Sequence, residues 1–231
     1  MRLSIAPMID VTNTHFREFM RLVTRRSVLY TEMIHHDAVL HNHAFVLAYT
    51  AHQKPLVLQL GGSDPARLAE AARIAQDYGY DEINLNVGCP SPRVQKGAFG
   101  ACLMKEAHLV RDCMEAMAEV VNLPVTVKCR LGVDEFDSYE FVHDFVKEVS
   151  RDGKGAVRHF IIHARKAFLK GLNPAQNRSI PPLQYHKVYQ LRSEFPTISF
   201  ELNGGIKTIA DGVRLTRENM LAGVMIGRTA Y

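Results

Sequence analysis

Eight short runs of strand-forming residues alternate with helix-like stretches along this chain, and that alternation restricts the fold more than any other feature. The runs are Leu3 to Met8, Val28 to Met33, Leu56 to Leu60, Glu82 to Val87, Val125 to Arg130, His159 to Arg165, Ile198 to Asn203 and Gly223 to Gly227. Helical signals separate most of them. Phe16, Phe19, Met20 and Val23 recur at helical spacing after a Thr14 cap. Pro65, behind a Ser63 or Asp64 cap, opens a helix that Gly79 closes. Leu103, Val110, Met114, Met117 and Val120 outline one face of a long helix predicted over Ala101 to Val121, and Phe141, Phe145, Val146 and Val149 outline another. Gln184 to Glu194 and Thr208 to Met220 supply the last two. Between Met33 and Leu56 the pattern is irregular, and the histidines there (35, 36, 41 and 43) have no carboxylate at a convincing ligand spacing, so they read as exposed or core-edge side chains rather than a metal centre.

Strands spaced by roughly 25 to 35 residues, with no composition break or linker, fit a run of βαβ units closed into a (β/α)8 barrel. The 231 residues suit one such domain, spanning 1–231. An open doubly wound sheet is the competing fold, but it calls for a GxGxxG turn after a strand, and the sequence contains none. The eighth helix is expected to be absent or short, since the chain stops at Tyr231. Cysteines at 89, 102, 113 and 129 form no CxxC pair, which argues against a structural metal or a disulfide frame and for a reducing, cytoplasmic setting. No apolar window approaches the roughly 18 residues of a membrane span. A net charge of +4 permits a polyanionic partner without demanding one.

In a barrel of this kind the chemistry collects at the C-terminal ends of the strands. Met8, Gln59, Asn86 with Cys89, Lys128 with Arg130, His163 with Arg165, Asn203 with Gly204 and Gly205, and Gly227 with Arg228 all fall there. The two glycine-bearing ends after the seventh and eighth strands can cradle a phosphate, and Arg228 adds a forked cation. Gln59 offers an amide to a heterocycle edge, and Lys128 puts a cation where a ring that gains negative charge on reduction needs one. Together they read as a flavin mononucleotide site. Cys89 lies on a loop held by Gly88, Pro90 and Pro92, with no His or Asp at triad-like or metal-like spacing to draw its proton away. The stretch from Lys166 to Leu183 is too long for a bare connection and reads as a binding loop.

These residues resemble the tRNA-dihydrouridine synthases, most closely their A-type branch. The resemblance is carried by Ala6-Pro7-Met8-Ile9-Asp10, Leu58-Gln59-Leu60-Gly61-Gly62, Asn84-Leu85-Asn86-Val87-Gly88-Cys89-Pro90-Ser91, Val127-Lys128-Cys129-Arg130, His163-Ala164-Arg165-Lys166-Ala167 and Asn203-Gly204-Gly205-Ile206. The loop from Gly171 to Leu183 points to the A-type branch, and Ala175 departs from a cationic position in that pattern. What the resemblance implies is reduction of a D-loop uridine in tRNA by FMN, with NADPH as electron donor. It assigns Cys89 as general acid, and Pro7, Met8, Gln59, Lys128, His163, Asn203, Gly204, Gly205, Gly227 and Arg228 to FMN. Asn86 and Arg178 go to the tRNA, with Arg93, Lys96, Arg165 and Lys166 as further cations. It also implies a C-terminal helical tRNA-binding domain, to which no part of residues 1–231 is expected to correspond; the chain is expected to act as a monomer. Two other readings stay open: a flavin barrel acting on a free small molecule, and a tRNA-binding barrel without turnover.

Overall fold

All eight expected strands are present in the computed structural model, which describes residues 1–231. In chain order the elements are β1 (Arg2–Ile5), α1 (Thr14–Val23), β2 (Leu29–His35), α2 (His36–Val46), β3 (Leu56–Gly61), α3 (Pro65–Asp77), β4 (Glu82–Val87), α4 (Pro92–Lys96), α5 (Ala107–Val120), β5 (Val125–Arg130), α6 (Tyr139–Ser150), β6 (His159–His163), α7 (Tyr185–Glu194), β7 (Ser199–Asn203), α8 (Ile209–Glu218) and β8 (Gly223–Ile226). The strands are all parallel, in the order β1-β8-β7-β6-β5-β4-β3-β2. Val28, just before β2, closes the ring. It donates to Leu3 O at 2.8 Å and accepts from Ile5 N at 2.9 Å. The result is a (β/α)8 barrel.

The side-chain alternation of β4 explains how such a barrel holds a polar site. Ile83, Leu85 and Val87 join the outer core of 51 buried residues between strands and helices, while Glu82, Asn84 and Asn86 turn to the inside. The interior is lined by a small apolar cluster, Ala6, Tyr30, Val57, Ile161 and Met225, and is otherwise polar. A buried polar interior is stable only when its groups are paired. Most of them are, as described below.

Three local expectations are corrected. The irregular segment after Met33 contains α2, whose backbone is kinked at Asn42, and His35 caps its start by accepting from Asp37 N. The stripe predicted for α1 is displaced: Phe19 and Val23 are exposed, and the buried face is Arg17, Met20 and Arg21. Arg17 reaches Gln53 Oε1 at 2.8 Å and Arg21 reaches Gln53 O at 2.7 Å, so polar anchoring replaces the apolar contact; Asn13, not Thr14, caps that helix. The long helix predicted from Ala101 is broken at Glu106 into a 3-10 segment, Gly100–Lys105, followed by α5. No helix is long and apolar enough to cross a membrane.

Candidate active site

At the C-terminal ends of the strands the barrel opens into a cavity of about 1870 Å³. Pro7 and Met8 reach it from the loop after β1, Gln59 from β3, Asn86 and Cys89 from β4 and its loop, Lys128 from β5 and His163 from β6. Asn203, Gly204 and Gly205 arrive from β7, Gly227 and Arg228 from β8, and Arg178 from the long loop. Cys89 and every residue assigned to FMN, together with Asn86 and Arg178, therefore line one space. The lining also holds Arg93, Arg130 and Lys207, whereas its carboxylates are Asp10 and Glu32, both on the β1–β2 side. Over β4 to β8 the wall is neutral or cationic.

Cys89 is pinned from both sides. Its N–H donates to Asn86 Oδ1 at 2.9 Å, and its carbonyl accepts from Ala101 N at 2.9 Å. Gly100 makes the second contact feasible: it sits at φ +74°, and a Cβ there would lie 2.5 Å from Cys89 O. Of the four cysteines Cys89 alone lines the cavity; burial pushes the Cys113 and Cys129 thiols up to about 12. Lys128, Arg130 and Arg178 are all near enough to Cys89 to interact with it electrostatically.

Lys128 Nζ donates to Asn203 Oδ1 at 3.2 Å, and Asn203 Nδ2 is held by Met225 O at 2.8 Å. Burial, and then the neighbouring Arg130, pull the Lys128 ammonium from 10.5 down to about 8. Burial likewise holds His163 well below the usual histidine range, reinforced by Arg130, Lys128, Arg165 and Arg228, so it is a neutral imidazole near pH 7. Arg130 is buried and fastens two loops, donating to Gly88 O at 2.9 Å after β4 and to Lys166 O at 3.1 Å and Asn177 O at 2.9 Å in the long loop after β6.

The residues after β7 and β8 form a cradle of backbone groups. Gly204 and Gly205 sit at φ +110° and +71°, where side chains are strained, and a Cβ on Gly205 would lie 2.4 Å from Leu183 Cδ1. Arg228 is exposed, with one guanidinium nitrogen on Arg178 O at 3.0 Å. A backbone cradle with a forked cation beside it, a lysine and a neutral imidazole deeper in, and no carboxylate on that wall fit the phosphate and ring of FMN.

The long loop is folded around Asn177, which is fully buried. It accepts from Phe168 N at 2.7 Å and donates to Phe168 O at 2.9 Å and Leu172 O at 3.2 Å. Asn177→Leu is expected to leave the Phe168 groups unpaired at about 1 to 3 kcal/mol each. Amide exchange at Phe168 should then rise at least about tenfold, as mass spectrometry of residues 166–183 would read; unchanged protection would refute the anchor role.

Two of the further cations expected to meet the tRNA are engaged elsewhere. Arg165 is held by Pro181 O and by Ser179 O at 3.3 Å, and Lys166 pairs with Asp137 at 2.7 Å. Neither lines the cavity, nor does the exposed Lys96. The reading of the histidines changes too: His35, His36 and Asp37 bring ligand atoms within 4.8 Å of one another, although Arg67 is paired with the Asp37 carboxylate. Asp10 and Asn84 enter the sequence reading only inside the family motifs, and Glu32 and Thr126 carry no site role there. Asn84 was legible, since it shares the inward face of β4 with Asn86; Asp10 and Glu32 carried no comparable signal.

The family model "Dihydrouridine synthase (Dus)" matches residues 4–231. The tRNA-dihydrouridine(20/20a) synthase of Escherichia coli (strain K12) is 55% identical over 230 residues, covering 100% of this chain and 66% of that protein. The protein of the same name from Vibrio parahaemolyticus serotype O3:K6 is 55% identical over 231 residues, covering 100% and 69%. The chain thus spans about two thirds of the length of these relatives. Among solved structures, a complex of 2-naphthoyl-CoA reductase superposes with a TM-score of 0.71 at 11% identity, over 98% of this chain and 48% of that one, a likeness of fold.

Proposed function

The chain belongs to the dihydrouridine synthase family, and from that premise we propose that it reduces uridines 20 and 20a of tRNA to 5,6-dihydrouridine, the positions in its relatives' names. In this reading residues 1–231 form an FMN-binding catalytic domain acting in the cytoplasm as a monomer. FMN, recharged by NADPH, would supply hydride to carbon 6 of the uracil. The observation that carries the proposal is the convergence of one cysteine thiol, a cationic wall and a glycine cradle in a single cavity.

Each group has a part. Gly204, Gly205, Gly227 and Arg228 hold the FMN phosphate, while Pro7, Met8, Gln59, Lys128, His163 and Asn203 hold the rest of the cofactor. Lys128, as a cation, offsets negative charge on the ring, and the neutral His163 adds no second charge beside it. Cys89 delivers the proton to carbon 5 from the face opposite the hydride. Asn86 and Arg178 face the flipped-out uridine, because a base stacked in folded tRNA must leave its stack to reach the barrel mouth.

The test is the visible spectrum followed by turnover. The purified protein should be yellow, NADPH should bleach it, and unmodified tRNA should restore the colour while free uracil does not. Recolouring by free uracil would instead support a small-molecule reductase, and a colourless protein that takes up no FMN would refute the flavin assignment.

A further inference from the structure

Five buried polar side chains connect the floor of the barrel to the Cys89 loop. Glu82, at the floor, accepts from Arg2 at 2.7 Å and from Thr126 Oγ1 at 2.8 Å. Thr126 Oγ1 accepts from Asn84 Nδ2 at 2.9 Å, and Asn84 Oδ1 accepts from Gln59 Nε2 at 2.8 Å. Gln59 Oε1 accepts from Asn86 Nδ2 at 2.9 Å. Asn86 Oδ1, at the far end, accepts from Gly88 N at 3.1 Å and Cys89 N at 2.9 Å. All five are less than a tenth exposed.

The two ends fix the sense of the chain. Backbone N–H groups can only donate, and an ionised carboxylate held by an arginine can only accept. Every group between them must then donate toward Glu82, so each of the three amides has one permitted orientation. Reversing any one of them would oppose donor to donor and acceptor to acceptor in a low-dielectric interior, and aligned bonds of this kind strengthen one another. A polar interior that merely satisfied itself would have no need to finish on the two N–H groups that set the position of one thiol.

We propose that Glu82, Thr126 and Asn84 are positioning residues for Cys89, acting through Gln59 and Asn86 to hold the Asn86 carbonyl oxygen against the Cys89 loop. The inference rests on the reading of Cys89 as proton donor, but its geometric half can be tested without turnover. Thr126 is the informative position, because its single hydroxyl both donates to Glu82 and accepts from Asn84.

Thr126→Val keeps the side-chain shape and removes that hydroxyl, so Asn84 Nδ2 loses its acceptor and the chain stays anchored only at its Cys89 end. Amide exchange at Gly88 and Cys89 should accelerate about tenfold or more, while residues 159–163 of β6 keep their wild-type protection. Thr126→Ser should restore the slow exchange. In turnover, oxidation of the reduced protein by tRNA should slow in Thr126→Val, and reduction by NADPH should keep its rate. Should Thr126→Val not fold, Glu82→Gln replaces the acceptor-only anchor by an amide of the same size and should give the same local signature. Wild-type exchange at Gly88 and Cys89 in the folded variant, acceleration spread evenly over the barrel, or failure of the serine variant to rescue overturns the proposal. If the exchange pattern appears but the wild-type protein makes no dihydrouridine, the positioning chain stands and the proposed function falls.

Discussion

Replacing Cys89 by alanine is expected to slow the oxidation of the reduced protein by tRNA by about 10²- to 10⁴-fold, the usual contribution of a positioned proton donor. Reduction by NADPH should be nearly unchanged. The split follows from geometry: Cys89 stands on the loop after β4, whereas the phosphate cradle is built after β7 and β8, on other strands of the ring. Its backbone is held by Asn86 and Ala101 through main-chain atoms that alanine retains, so the loop should keep its place when the thiol is lost. Stopped-flow traces of the two half-reactions give the answer. A variant impaired with NADPH and normal with tRNA would refute the role, and an undiminished tRNA reaction would show that another group carries the proton.

Lys128→Met is expected to make the protein more stable and less active. A fall from 10.5 to about 8 means that folding disfavours the ammonium by on the order of 3 kcal/mol at neutral pH. The sign is the reverse of a paired lysine's. Below pH 8 the group is charged in both states and the full penalty applies; between pH 8 and 10.5 the unfolded chain holds the proton that the folded one has released, so stability rises with pH; above that the contribution is nil. A methionine of similar length removes the penalty and forgoes the bond to Asn203, worth about 1 kcal/mol. The net gain of on the order of 2 kcal/mol should raise the melting temperature of the flavin-free protein by roughly 4 to 8 °C at pH 7. Reduction by NADPH should fall about 10²-fold, as for the loss of one preorganised electrostatic partner. The wild-type rate should decline as pH rises through about 8, and the variant's should not. A destabilised variant, or one that keeps the decline near pH 8, would remove Lys128 from this role.

How much of this was legible in the sequence depended on whether a signal was periodic or relational. The alternation of β4, Glu82-Ile83-Asn84-Leu85-Asn86-Val87, is a local pattern, and it announced a strand with one apolar and one polar face. Strand ends are local too, so the residues named there from their places in the chain do line the cavity, with Arg165 the exception, whereas Pro7 and Arg178 came from the family resemblance. The buried face of α1 was not legible, because its anchors, Arg17 and Arg21, find their carbonyl and amide partners near Gln53, a segment whose approach no helical period encodes. For the same reason Arg165 and Lys166 looked like free cations until the chain folded Pro181 and Asp137 against them. The Asn84–Thr126 link pairs side chains 42 positions apart, and only the parallel register of β4 with β5 brings them together.

The ring of strands has a seam. Seven of its junctions are ladders with several aligned residues, while the eighth, between β1 and the start of β2, has backbone bonds at Val28 alone, with one side-chain bond from Arg2 to Tyr30 beside them. A hoop under load parts at its weakest joint. Pulled or heated, this one should open between Leu3 and Val28 before any other pair of strands separates, in the manner of a cut cylinder uncurling. The interior that such a cut uncovers is mainly amide, hydroxyl and carboxylate, groups that water solvates well, so the uncurled sheet would offer little apolar surface for a second molecule to grip.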